Sequence, residues 1–195
     1  SIFPSADAEP RSAMTELEVL DLVSKRLAGL KLDFMLTGSF AMAYYATPRM
    51  TRDLDLVVAL TAAGAERFVH AFEADFYVDL DAALDAVRST RLFNLMHLKS
   101  GVKVDIIVQK AGEYRQVEFA RRQRVDFGGI ATSIVSREDL ILSKLVWARD
   151  AGSDLQLRDV RALIAPGMDI AYLHRWAESL GELDSLSKVL RDTLT

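Results

Sequence analysis

Two acidic residues inside an apolar strand constrain this chain more than any other feature of its sequence. Residues 53–59 read DLDLVVA, a run typical of a strand that lies within a sheet. Because side chains alternate along a strand, Asp53 and Asp55 lie on the same face. Two neighbouring carboxylates repel each other, and when half-buried they take up a proton or bind a cation. Hard oxygen ligands without histidine or cysteine favour Mg²⁺ or Mn²⁺, although an isolated Asp-x-Asp also suits a polar strand start or a protected sheet edge.

A third acid and a glycine turn strengthen the case for a cation. Asp105 interrupts another apolar strand, residues 104–108, and a carboxylate in a buried strand requires a reason. Upstream, a strand at 33–36 runs into Gly38 and Ser39 before a helix of small residues. A glycine at a helix start lets a phosphate approach the backbone N–H groups, whereas the alternative is a simple turn with a serine N-cap. Together these parts predict a two-metal site for phosphoryl or nucleotidyl transfer.

The remaining periodicity predicts an α/β (α+β) fold, a small mixed sheet flanked by helices. Residues 1–13 are polar and aperiodic and predict a mobile leader, residues 14–135 form the core, and residues 136–195 form a C-terminal helical segment. The predicted elements are a helix from the Thr15–Glu18 capping box to about Gly29, helices at 40–46 and 62–74, a strand and helix within 75–88, a hairpin at 92–108 turning at Ser100 and Gly101, a basic helix at 114–123, a strand pair turning at Gly128 and Gly129, helices capped by Ser136 with Asp139 and by Ser153 with Gln156, and one or two helices after Pro166 and Gly167.

Composition excludes several classes of protein. The chain has no cysteine, so it has neither a disulfide framework nor a thiolate metal site. Its net charge of −4 disfavours a general grip on nucleic acid. No apolar stretch approaches the roughly 20 residues of a membrane span, and no signal peptide opens the chain, which predicts a cytoplasmic protein. A Walker loop, a Gly-x-Gly-x-x-Gly motif and a Gly-x-Ser-x-Gly elbow are all absent from the sequence, which disfavours a kinase or a dehydrogenase.

The motifs resemble those of a known superfamily. Residues 36–41, LTGSFA, and 49–57, RMTRDLDLV, are similar to the Gly-Ser and Asp-x-Asp signature of the DNA polymerase beta-like nucleotidyltransferases, and 103–105, KVD, resembles the strand of the third carboxylate. Within that superfamily the chain looks most like bacterial nucleotidyltransferases of the AbiEii type. The resemblance covers about residues 14–164, and its first half is the more specific.

The resemblance implies a role for each matching residue. Ser39, next to Gly38, would contact the triphosphate. Asp53 and Asp55 would bind both metal ions, and Asp105 would hold the ion at the acceptor.

A lysine and an acid further along the chain also match, through shorter motifs. Lys144 would meet phosphate or assist deprotonation, and Asp159 would orient it. Periodicity alone favours a solvated lysine at 144. Arg49 and Arg52 flank the acidic strand and would either hold phosphate or form structural ion pairs, with Arg49 preferred for nucleotide binding.

The predicted function is transfer of a nucleoside monophosphate from a nucleoside triphosphate to an acceptor hydroxyl on RNA or tRNA, a protein or a small molecule. The alternative is a catalytically silent nucleotide-binding regulator or an antitoxin-type interaction protein, with a cognate toxin or antitoxin as partner. A basic cluster either contacts such an acceptor or forms an ordinary charged helix face; its members are Arg115, Arg121, Arg122 and Arg124. Of the histidines, only His97 lies on a strand near Asp105.

Overall fold

The computed structural model describes residues 14–47 and 51–194, and this part of the chain contains nine helices around one seven-stranded sheet. The strands are β1 (Phe34–Thr37), β2 (Asp53–Val58), β3 (Phe76–Tyr77), β4 (Leu92–His97), β5 (Lys103–Val108), β6 (Gln123–Phe127) and β7 (Ile130–Ile134). The helices are α1 (Glu16–Gly29), α2 (Gly38–Tyr45), α3 (Ala62–Phe72), α4 (Leu80–Ser89), α5 (Glu113–Ala120), α6 (Arg137–Ala151), α7 (Asp154–Leu163), α8 (Ile170–Leu180) and α9 (Leu183–Leu194).

The sheet is mixed, with strand order β3-β4-β5-β2-β1-β7-β6. β2 and β5 are parallel neighbours at its centre, and the antiparallel strands β1 and β4 flank them. β7 then pairs in parallel with β1. The predicted fold class, α/β (α+β) with a small mixed sheet flanked by helices, is confirmed.

One face of the sheet is the floor of the apolar core. Leu54 and Leu56 on β2 are fully buried on this face. α3 contacts β4, which is separated from β2 by β5, and the ring centroid of Phe68 on α3 lies 5.5 Å from that of Phe93 on β4. Removing the side chain of a fully buried leucine such as Leu56 costs about 2–5 kcal/mol of stability. This packing fixes which face of β2 is apolar, and the acidic side chains therefore occupy the other face.

Local sequence signals account for most helix ends. The Thr15–Glu18 capping box of α1 forms in both directions, and Ser136 caps α6 by accepting from the backbone of Asp139. The predicted capping box of Ser153 and Gln156 is wrong, because Ser153 makes no side-chain capping bond at α7. Gln156 instead accepts a hydrogen bond from a buried lysine, described below.

None of the helices in the described ranges combines the length and the apolar character needed to cross a membrane.

Candidate active site

A row of polar side chains crosses four strands of the sheet. Thr37 on β1 lies opposite Asp55 on β2, Asp55 is in register with Asp105 on β5, and Asp105 is opposite Asn94 on β4. Because paired residues in register lie on the same face, all four side chains occupy the face opposite the core. Asp55 and Asp105 therefore come together, as the sequence predicted for two of the three carboxylates.

Gly38 begins α2 directly beside Asp55. Its backbone has a φ of +69°, in the left-handed region, and a Cβ added there would lie 2.1 Å from Oδ2 of Asp55. Any other residue would be strained and would collide with the carboxylate. Ser39 follows in the first turn and is buried. The two residues predicted to bind nucleotide thus lie at a helix N-terminus, where backbone N–H groups attract anions, in contact with one of the predicted metal ligands.

The surroundings of Asp55 have an excess of negative charge. Burial first, and then the charges of Asp105 and Asp53, raise the pKa of Asp55 from an ordinary 3.8 to about 6. The cations Lys103 and Lys144 lower it by less. A carboxylate whose neighbours repel its charge favours either a proton or an added cation.

Asp105 is already provided with partners. Its Oδ1 accepts a short hydrogen bond from Asn94 Nδ2, and its Oδ2 lies 3.2 Å from Lys103 Nζ. The same ammonium lies 3.8 Å from Oδ2 of Asp53, whose side chain is 53% exposed. Burial lowers the pKa of Lys103, but its hydrogen bond to Asp105 and the charges of the acids outweigh this effect and hold the pKa above its usual range.

The donor chemistry of the site fits a divalent cation on the side of Asp55, because carboxylate oxygens next to an unbalanced negative charge are the ligands that Mg²⁺ prefers. The three carboxylates do not surround one common position. Within residues 14–47 and 51–194, no group of three histidine, cysteine, aspartate or glutamate side chains is arranged to hold a metal ion together. The ammonium of Lys103 lies between Asp53 and Asp105 instead.

Lys144 and Asp159 form a buried ion pair at the same site. Lys144 Nζ on α6 lies 2.7 Å from Asp159 Oδ2 on α7 and donates to Gln156 Oε1 at 3.0 Å. The side chain of Lys144 is only 1% exposed, so the solvated lysine that periodicity favours is wrong. Packing explains the difference, since α6 contacts α2, α7 and α8 and buries more than one face. Asp159 lies behind Lys144, as expected of a residue that orients it.

A cavity of about 340 Å³ extends from this row of polar groups. Gly38, Asp55, Asp105 and Lys144 line one end of it. Its walls are largely apolar, formed by Val57, Leu92, Ile107, Val108, Leu140 and Trp147. The side chains of the sheet floor follow the same alternation as the carboxylates, since Leu92 pairs with Ile107 and Ile107 with Val57 in the next row of the sheet. Asp55 and Asp105 therefore face a partly open cavity with mainly apolar walls.

Of the other predicted residues, Arg52 and His97 lie outside this cluster. Arg49 falls outside the described residues. Arg52 approaches Glu16 at 3.9 Å and is 84% exposed, away from the carboxylates. His97 is on the opposite face of the sheet, where its Nδ1 shares a hydrogen bond with Ser100 and its ring packs on Phe76.

The basic cluster is largely paired inside the molecule. Arg115 pairs with Glu118, Arg121 pairs with Glu138 and Asp139, and Arg122 pairs with Asp33. Of these residues, Arg115 and Glu118 also line the cavity. These contacts favour a structural role for the cluster over a nucleic-acid surface.

Sequence reasoning missed three residues of the site, namely Lys103, Asn94 and Gln156. The alternation that places Asp105 on one face of β5 also places Lys103, two positions earlier, on that face. Asn94 and Gln156 gave no such signal, because their positions follow from strand register and helix packing between distant segments.

Comparisons with known proteins bear on the fold. No family model matches the sequence, and no curated protein matches it significantly. Among solved structures, an antigenic nucleotidyltransferase-like protein from Paracoccidioides brasiliensis matches with a TM-score of 0.53 at 18% identity, over 90% of this chain and 92% of that one. The antibiotic-resistance factor ANT(2'')-Ia matches at 0.51 and 13% identity, over 93% and 96% of the two chains. The lincosamide antibiotic adenylyltransferase LnuA, bound to lincomycin, matches at 0.50 and 14%, over 78% and 98%.

These identities are low, so the matches establish a common architecture. The chain has the fold of nucleotidyltransferase-like proteins, and the strands that carry Asp53, Asp55 and Asp105 form the centre of that fold.

Proposed function

We propose that this protein transfers a nucleoside monophosphate from a nucleoside triphosphate to an acceptor hydroxyl, with release of pyrophosphate, in a reaction that depends on Mg²⁺ or Mn²⁺. The observation that carries the proposal is the register of Asp55 with Asp105 beside the Gly38 turn. In this proposal the site for the triphosphate, at the start of α2, and the site for the cation, at Asp55, are in direct contact. The fold shared with nucleotidyltransferase-like proteins supports the same reaction class.

The residues at the polar end of the cavity would bind the triphosphate and the divalent cation. Gly38 and Ser39 would receive the triphosphate at the start of α2. The carboxylates of Asp53, Asp55 and Asp105 supply the negative charge that attracts a divalent cation. That cation, when bound, would neutralise charge on the phosphates and on the leaving pyrophosphate. Catalysis of this kind consists mainly of positioning and charge neutralisation.

Lys144 would contribute a second positive charge. Its ion pair with Asp159 and its bond to Gln156 fix the ammonium in place at the edge of the cavity. An ammonium held by a carboxylate is better suited to contact phosphate oxygens than to accept the proton of the acceptor. Of the two roles implied by the family resemblance, the phosphate contact is therefore the one we propose.

The cavity favours a small acceptor with an apolar body. Asp105 is one strand further than Asp55 from the phosphate turn, so a molecule over Ile107 and Leu92 lies on the side away from the donor phosphates. The volume of about 340 Å³ falls within the range of small-molecule pockets, and Trp147 adds an indole wall. RNA and protein acceptors are the alternatives, and the resemblance to AbiEii-type proteins supports a toxin or antitoxin setting in the cytoplasm.

A labelling experiment tests the proposal. The purified chain is incubated with each α-³²P-labelled triphosphate and Mg²⁺ in a cell lysate, and label is followed into small-molecule, RNA and protein fractions. We expect transfer into the small-molecule fraction by the wild-type chain and loss of at least about 1,000-fold with Asp55→Asn. Asp81→Asn, an equal change at an exposed position of α4, is the matched control.

The outcomes separate the candidate functions. Label on protein or RNA would show that the acceptor is not a small molecule, while the proposed transferase activity would stand. Calorimetric binding of triphosphate without transfer of label to any fraction would indicate the silent nucleotide-binding regulator. An unchanged transfer rate in Asp55→Asn would overturn the proposed mechanism.

A further inference from the structure

A lysine occupies the part of the site where the three-carboxylate arrangement calls for a cation. Lys103 and Asp53 are in register on neighbouring strands, and Asp105 follows Lys103 by two positions on the same face. The ammonium of Lys103 thereby reaches both acids, at 3.2 Å from Asp105 and 3.8 Å from Asp53. Its side chain is 35% exposed, so the ammonium is partly withdrawn from solvent. The strand register itself thus delivers a positive charge to these two acids.

Asp105 has little capacity left for a metal ion. Its Oδ1 accepts from Asn94 and its Oδ2 from Lys103, so both oxygens have donors from the protein. The carboxylate is only 15% exposed, which limits the water that a divalent ion would keep around itself. A divalent ion placed between Asp53 and Asp105 would also meet the ammonium at short range, with like charge. These contacts describe an acid that anchors a lysine.

Asp55 differs from Asp105 in this respect. Among the described residues it makes no ion pair within 4 Å, and the charged residues nearest to it in the strands, Asp105 in register on β5 and Asp53 on the same face of β2, are both acids. It also lies against Gly38, at the helix start where a triphosphate would bring further negative charge. The demand for a divalent ion is therefore concentrated at Asp55 and at the exposed side of Asp53.

Resting on the proposed function, we propose that Lys103 is a built-in monovalent cation that takes the place of one metal ion, so that the site recruits a single divalent ion, on the Asp55 side beside the phosphate turn. Asp105 then acts as a positioning residue through Lys103. The three acids carry three negative charges, which one ammonium and one divalent ion balance. A site with one divalent ion and Lys103 differs from the two-metal site that the sequence pattern predicts.

Metal counting tests this inference independently of turnover. The full chain is titrated with Mn²⁺ in the presence of the non-hydrolysable analogue α,β-methylene-ATP, and free Mn²⁺ is measured by electron paramagnetic resonance. We expect the wild-type chain saturated with the analogue to hold one Mn²⁺ per chain in total, counted after subtraction of the Mn²⁺ that unbound analogue holds under the same conditions. Lys103→Met removes the charge at nearly constant length, and we expect it to bind a second ion.

A matched control comes from the same hairpin. Lys99→Met makes the same change at an exposed position, and we expect one bound ion as in the wild type. Two ions bound by the wild-type chain would overturn the inference while leaving the proposed function intact, whether or not Lys103→Met folds. A count that stays at one in folded Lys103→Met would overturn it as well. No bound ion in any of the three proteins would overturn the proposed function together with the inference.

Discussion

Two clusters of charge line the same cavity, and they are balanced differently. On the helical side, Lys144 and Asp159 are 1% and 5% exposed and satisfy each other at 2.7 Å, with Gln156 as a further acceptor. On the sheet side, the acids outnumber the cations that touch them, and the pKa of Asp55 is raised to about 6. The charges of the first cluster are balanced within the protein, whereas the second keeps an excess of negative charge around Asp55.

This difference indicates how a structural ion pair and a binding site can be told apart. Burial alone does not distinguish them, because Asp105 in the second cluster is also only 15% exposed. What distinguishes them is whether the opposite charges balance. Removing one member of a balanced buried pair destabilises the protein, because the other charge is left without a partner. An unbalanced charge lowers the stability of the free protein, and a ligand of opposite charge that binds to it raises the stability.

Breaking the balanced cluster has the largest expected effect. Asp159→Asn leaves Lys144 buried without a counter-charge, and we expect the free energy of unfolding to fall by about 3–5 kcal/mol. Urea denaturation followed by circular dichroism measures the change. Replacing both members, as Lys144→Met with Asp159→Leu, is expected to recover most of the loss. A loss below about 1 kcal/mol in Asp159→Asn would show that the pair is not buried as a charged pair.

The cluster around Asp55 predicts that the free energy of unfolding decreases as the pH rises. Because the pKa of Asp55 is raised from 3.8 to about 6 on folding, the folded chain binds this proton more tightly than the unfolded chain. Its contribution to stability is complete below pH 3.8 and is lost as the pH rises through 6. Without divalent ions, we expect wild type to lose up to about 3 kcal/mol relative to Asp55→Asn across this window. Urea unfolding of both proteins from pH 3.5 to 7.5 measures it, and parallel curves would contradict the prediction.

The glycine beside Asp55 predicts a smaller effect on stability. Gly38→Ala places a Cβ in a left-handed backbone and against the Asp55 carboxylate, and we expect a cost of about 1–3 kcal/mol. Because the carboxylate must move, transfer should also fall by about 100-fold. Gly29→Ala is the control, since a Cβ there would meet nothing within 4 Å. Equal stability and activity in the two variants would show that the Gly38 contact is unimportant.

An exposed pair provides the lower limit of the comparison. Lys25 lies 2.6 Å from Asp21 on α1, with its side chain 75% exposed. Solvent screening reduces the value of such a pair, so Lys25→Met should change the free energy of unfolding by less than about 0.5 kcal/mol. The same urea titration measures the change in the free energy of unfolding. A loss similar to that of Asp159→Asn would show that burial does not account for the difference between the two ion pairs.

Local sequence signals predicted the sheet half of the site, and long-range packing determined the rest. Alternation in β2 correctly placed Asp53 and Asp55 on one face, the acid that interrupts the apolar run of β5 marked Asp105, and Gly38 marked the turn at the start of α2. Periodicity failed at Lys144, because a helix surrounded by other helices buries faces that its own sequence does not distinguish. It also missed Asn94, whose place beside Asp105 depends on the register between β4 and β5. The roles of the carboxylates in metal binding remain predictions.

The central strand pairing has a consequence for how the molecule matures. Asp55 and Asp105 are 50 residues apart in sequence and become neighbours only when β2 and β5 align in parallel. Contacts of such long separation form slowly, because the intervening chain must first be ordered. In an incompletely folded chain, therefore, Asp55 and Asp105 are present but are not yet neighbours. A ligand that requires both acids to be neighbours would bind the folded chain and not the unfolded one, and by mass action it would increase the folded fraction as its concentration rises.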